Sequence, residues 1–106
     1  MRRFTTPTHR LIIRNLDLTG MDVYVTYRQN RIKKTIQNAK VTYDGENTTI
    51  EVYLTQEDTG CFDKGVVKVQ INWIDENDQR NATVEKAINV SDNLLNKEVH
   101  YVGNNL

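Results

Sequence analysis

Few side chains in this sequence have the types that make and break covalent bonds, and their spacing decides how they read. Nucleophilic catalysis by Cys61, or by Ser91, the single serine, needs a histidine base held beside it. Neither His9 nor His100 has a motif neighbour that places it near either group. Cys61 beside Phe62 reads as an inert, partly packed thiol. Asp75, Glu76, Asn77 and Asp78 offer oxygen ligands to a hard cation, but the stretch lacks the sixth-position Gly and twelfth-position Glu of a calcium loop, and it fits a solvated hairpin turn. With one cysteine and two histidines, the chain can form neither an internal disulfide nor a structural zinc site. The sequence therefore assigns no catalytic, cofactor-binding or metal-binding residue, and the expectation is a protein that is not an enzyme and uses no cofactor.

The residues left for recognition are aromatic and charged. Tyr24 and Tyr53 fall on outward positions together with Arg28 and Glu51. Exposed tyrosine with arginine is the chemistry of protein interfaces and sugar-binding faces; the same pair can also be cross-strand neighbours covering one sheet face. Ile32 and Lys34 lie on an edge-type segment, so the candidate partner-binding set is Tyr24, Arg28, Tyr53, Ile32 and Lys34. Arg2, Arg3, Arg10 and Arg14 form a basic run followed by Asp17 and Asp22, which reads as a solvated face or a docking arm.

These residues are carried by strands, because alternation at period two recurs along the chain. In Met21–Arg28, Val23, Val25 and Tyr27 oppose Asp22, Tyr24, Thr26 and Arg28. Ala39–Tyr43 and Thr48–Leu54 read as a hairpin around Asp44-Gly45-Glu46-Asn47, with Ile50, Val52 and Leu54 inward. Val67, Val69, Ile71 and Trp73 alternate with Lys68, Gln70 and Asn72, which makes Trp73 a core anchor. Arg80–Val90 returns antiparallel with a bulge near Glu85-Lys86, where the apolar spacing is uneven. His9, Leu11 and Ile13 oppose Arg10, Ile12 and Arg14, and Asn15–Gly20 is long enough to cross between sheets. Arg31–Gln37 reads as an edge strand protected by Lys33 and Lys34. One stretch breaks the alternation: Thr55 can cap a helical turn with Asp58 three residues on, and Gly60 ends it.

Six to eight short strands, one helical turn near 55–60 and no long helix describe an all-β fold, an antiparallel β-sandwich or small barrel, which the likeness given below makes an immunoglobulin-like sandwich. Residues 1–93 form the single domain. Residues 94–106 form a C-terminal tail, either a frayed helix or a short strand at Val99–Val102, with Gly103-Asn104-Asn105 a flexible end. At 106 residues one core is the natural size.

Fourteen Lys and Arg balance fourteen Asp and Glu, so no global field draws the chain to nucleic acid or to anionic lipid. No apolar run approaches the roughly 20 residues of a membrane-spanning helix. Polar residues follow Met1-Arg2-Arg3-Phe4 where a signal peptide would be apolar, so synthesis in the cytoplasm is expected.

Two likenesses follow from these segments. Leu54-x-x-x-Asp58-x-Gly60-x-Phe62 resembles the immunoglobulin segment leading into the sixth strand, with Phe62 where tyrosine is usual and without the core cysteines. Arg3-Phe4-Thr5 with Thr6-Pro7 and a strand over Phe4–Ile13, Val23–Gln29, Leu54–Glu57 with Phe62 and Gly65, Val67–Trp73, and Asn93-Leu94-Leu95 resemble small proteins encoded in prophages of Gram-positive bacteria. Those are similar to the N-terminal sandwich domains of upper baseplate and tail-fibre proteins. The resemblance implies a structural or assembly module that contacts other tail or baseplate proteins and further copies of itself, located in the virion tail when incorporated. A carbohydrate- or ligand-binding module using the tyrosine-bearing face is the competing expectation.

Overall fold

The computed structural model describes residues 1–83 and 85–101. Among these residues eight strands run in order: β1 (Thr8–Arg14), β2 (Asp22–Gln29), β3 (Ile32–Ile36), β4 (Lys40–Tyr43), β5 (Asn47–Tyr53), β6 (Gly65–Ile74), β7 (Arg80–Ala82) and β8 (Lys86–Val90). A short helix, α1 (Gln56–Gly60), lies between β5 and β6. The strands form two antiparallel sheets, one ordered β1-β5-β4 and the other β3-β2-β6, with β7 and β8 both on the far side of β6. The protein is an all-β sandwich. Its strand order is the one in which immunoglobulin-type sandwiches set B-E-D against C′-C-F-G.

The alternation dictates the core. Val23, Val25 and Tyr27 of β2 and Val67, Val69 and Ile71 of β6 point inward and meet Ile50 and Val52 of β5, all buried. Burying each such side chain is worth roughly 1.5–3 kcal/mol relative to leaving it in water. Leu18 and Phe62 close the two ends, at 0 % and 1 % exposure. Trp73 faces inward and packs half-buried against this cluster. Asn15–Gly20 does cross between the sheets, and Leu18 is held there by its N–H donating to Thr48 Oγ1 at 3.1 Å.

A register step falls between Ala82 and Lys86, beside the expected bulge. Pairing with β6 shifts by one residue between Asn72↔Ala82 and Val69↔Lys86. Thr83 stitches the step: its N–H donates to Ile71 O at 2.9 Å, and its hydroxyl accepts from Ile71 N–H at 3.1 Å. The shift lets Ala82 and Ala87 face outward while Ile88 and Val90 face the core.

A capping box starts α1: Thr55 Oγ1 accepts from Asp58 N–H at 3.1 Å, and Asp58 Oδ2 accepts from Thr55 N–H at 2.9 Å. The end of α1 differs from expectation. Gly60 has no left-handed backbone, and Cys61 is the C-cap in the right-handed region. Gly60 is there because the Phe4 ring lies against it; a Cβ at this position would sit 2.3 Å from the ring.

The N-terminal arginines also differ from a free arm. Arg2 forms a parallel bridge with Ser91 at the end of β8, and Arg3 lies 5.3 Å over the Phe4 ring while donating to Gly60 O at 3.1 Å. At the other terminus, Leu94–Tyr101 holds neither helix nor strand, in contrast to both tail expectations. Gln56 instead fixes the tail by a reciprocal pair of hydrogen bonds with the Val99 backbone. Residues 102–106, including the expected flexible end and the last residue of the expected strand, lie outside the described residues.

Candidate functional site

The outer face of the five-stranded sheet carries a shallow depression of about 390 Å³. Its floor is a grid fixed by strand register. One row sets Lys33 opposite Arg28 and Arg28 opposite Lys68 across three adjacent strands. The next row is Thr35, Thr26 and Gln70, with Thr26 and Thr35 hydroxyls 3.1 Å apart. Tyr24 and Asn72 make the third row, and Ile74 and Arg80 close the far end. Rows are roughly 7 Å apart, two residues along a strand. Four cationic side chains therefore line the depression against one carboxylate, Glu85, which pairs with Lys68 at 3.4 Å. Arg80 Nε donates to Asn72 Oδ1 at 3.2 Å.

A second feature is the open side of the sandwich. The edge strands β1 and β8 leave between them a seam of about 720 Å³, with Leu11, Ile13, Val69, Ile71 and Ile88 inside and Arg10, Arg14 and Lys86 at its rim. One end is shut by the Arg2–Ser91 bridge. Among the described residues β1 pairs with β5 alone. Leu54 N–H donates to Pro7 O at 3.1 Å, which fixes odd-numbered residues as those bonded to β5. By the alternation of antiparallel ladders, Thr8, Arg10, Ile12 and Arg14 aim their backbone N–H and C=O groups away from β5. Ile12 is 60 % exposed on this strand.

The five expected partner-binding residues do not share one surface. Tyr24 and Arg28 lie together on the outer face of the five-stranded sheet. Tyr53 belongs to the three-stranded sheet, so a cross-strand pair with Tyr24 does not form. Its hydroxyl donates to Glu51 Oε2 at 2.7 Å, and Arg10 pairs with Glu51 at 3.5 Å, which makes a self-satisfied surface cluster. That hydrogen bond pushes the Tyr53 hydroxyl up from its ordinary pKa and holds the Glu51 carboxyl below its own. Ile32 and Lys34 face inward, because they register with Gln29 and Tyr27. Ile32 packs on the core, and Lys34 reaches α1, 3.8 Å from Glu57 and 4.0 Å from Asp58. The side chains of β3 that face outward are Lys33 and Thr35.

His9, Tyr27, Cys61 and Asp75 each make a hydrogen bond within the fold. His9 Nδ1 and the Tyr27 hydroxyl share a 2.8 Å hydrogen bond that links the two sheets across the core. Burial lowers the His9 pKa, with the N-terminal ammonium adding to it, and burial with the nearby Asp58 charge raises that of Tyr27. Cys61 donates its thiol to Asp58 O at 3.0 Å, and burial raises its pKa, so the thiol stays protonated near neutral pH. Asp75 organises its loop as a turn, its Oδ1 accepting from Asn77 and Gln79 N–H groups at 3.0 and 2.9 Å. No cluster of three metal-ligating side chains occurs among the described residues, and no described helix is long and apolar enough to cross a membrane.

The chain matches no known protein family, no curated protein and no solved structure.

Proposed function

We propose that this protein is a non-enzymatic assembly module of a phage or prophage tail or baseplate, working by protein–protein contact along the edge of β1 away from β5. The observation that carries it is the row of backbone groups on Thr8, Arg10, Ile12 and Arg14, directed away from β5 and without a partner among the described residues, beside an apolar seam. Such an edge accepts a partner strand, and main-chain bonds supply the affinity. A second copy is a suitable partner, since two β1 strands can pair antiparallel about a two-fold axis. The register that sets Arg10 opposite Ile12 and Thr8 opposite Arg14 opposes no like charges, whereas a shift of one copy by two residues either way sets arginine against arginine. The tail setting is supported by the resemblance of the strand segments to baseplate sandwich domains.

Light scattering on a sizing column across a wide concentration range tests this. A closed oligomer is expected for the native chain and a monomer for Ile12→Pro. That substitution removes an outward donor, which an edge strand tolerates, and leaves the β1–β5 ladder bonded. A native chain that stays monomeric at every concentration would contradict pairing between copies.

The depression around Tyr24 and Arg28 favours a second reading, a carbohydrate- or ligand-binding face. Its volume lies within the roughly 300–1,000 Å³ of small-ligand sites.

A further inference from the structure

The row Lys33–Arg28–Lys68 breaks a rule of sheet construction. Like charges directly opposite on one face destabilise a sheet, and here three cations stand side by side with neighbouring Cα atoms about 5 Å apart. Among the described residues, Glu85 on Lys68 is the single carboxylate salt-bridged to the row. A local rule broken with only that one compensating pair inside the fold points to further compensation from outside it.

What binds there follows from the rest of the grid. At the centre of the grid Thr26 and Arg28 are paired with β3 on one side and β6 on the other, whereas Lys33 and Thr35 lie on the edge strand β3 and Tyr24 extends past the end of β3. A peptide would be held by main-chain bonds along the β3 edge, and the centre of the grid, where Thr26 and Arg28 are paired on both sides, gives it none. At that centre side chains do the recognising. They are three cations in a row, then hydroxyl and amide groups at Thr26, Thr35 and Gln70, then Tyr24 beside Asn72. Cations pair with an anion, hydroxyls and amides bond to hydroxyls, and an aromatic ring covers a sugar face. We infer that this face binds a linear anionic oligosaccharide, its carboxylate or sulfate group on the Lys33–Arg28–Lys68 row and its ring against Tyr24. The inference rests on the second reading above and is independent of assembly through β1.

Titration calorimetry with an oligogalacturonate hexamer, its neutral methyl ester and a sulfated hexasaccharide tests it, with hexaglutamate as the peptide comparison. Binding of at least one anionic saccharide is expected, weakening as salt rises, with the ester and the peptide much weaker. Arg28→Thr is expected to weaken binding roughly tenfold, as loss of a charge-assisted hydrogen bond would. The same variant is expected to raise the thermal midpoint, because it removes the centre of the cation row. Opposite signs for affinity and stability separate a ligand site from a structural residue. Tyr24→Ala is expected to weaken saccharide binding while leaving its salt dependence in place.

Equal binding of the ester would overturn the anionic class while keeping a saccharide site. Hexaglutamate binding as tightly as the sugars would replace the site with a plain charge patch. No binding of any saccharide would end both the inference and the second reading. A lowered thermal midpoint for Arg28→Thr would show that the row is no burden to the fold, and so remove its premise.

Discussion

Individual residues in this sandwich carry structural duties that their chemistry alone does not announce. His9 is the clearest case. Its unfolded pKa is near 6.5 and burial lowers the folded value, so as pH falls the unfolded chain takes up the proton first. The stability tied to neutral His9 is full above about pH 6.5 and is lost as pH drops below that value towards the folded one. Asp17, Asp44 and Glu51, held below their ordinary values of 3.8, 3.8 and 4.5 by hydrogen bonds, lose their contribution only in a more acid window. Thermal midpoints measured between pH 7.5 and 5 should therefore decline for the native chain and flatten for His9→Gln. An unchanged slope in the variant would mean that the His9–Tyr27 link carries no pH dependence. Gly60→Ala is a second test at this scale. A Cβ at 2.3 Å must displace the Phe4 ring, at a cost of about 1–3 kcal/mol read by denaturant unfolding.

The elements were largely legible in the sequence because period-two alternation reports burial directly. Residues 65–71 of β6 alternate in burial without interruption, and the Thr55/Asp58 cap of α1 follows from local chemistry. Thr55→Ala should cost about 1 kcal/mol of stability, most of it from the lost bond to Asp58 N–H. The candidate site was less legible. Alternation separates inward from outward but does not say which sheet a strand joins, so Tyr24 and Tyr53 looked like neighbours. Nor does it give cross-strand register, and so Lys33 and Lys68 were not grouped with Arg28. Lys34 was misplaced for a related reason: a lysine on an edge-type strand suggests solvent, whereas the carboxylates of α1 draw it inward. His9 opposite a buried tyrosine could have been suspected from its inward parity alone. The role of Gly60 could not, since Phe4 lies far from it in sequence.

At the scale of the whole molecule, two sheets with unequal strand numbers leave one side unequally closed. Lys34 and α1 tie the sheets together on one side, and the seam between β1 and β8 stays open on the other. Leu94–Tyr101 leaves the sandwich tied by Val99 to Gln56, and the radius of gyration of 15.8 Å exceeds the roughly 13 Å typical of a compact domain this size. Assembly along β1 turns the open side into a continuous one, extending the inner row by setting Leu11 against its copy. The most direct measurement of that contact is residue-resolved amide exchange at low and high protein concentration. Protection should appear at Arg10, Ile12 and Arg14 as concentration rises, while the odd-numbered amides of β1, already bonded to β5, stay unchanged. Even-numbered amides that exchange equally fast at both concentrations would contradict assembly through this edge.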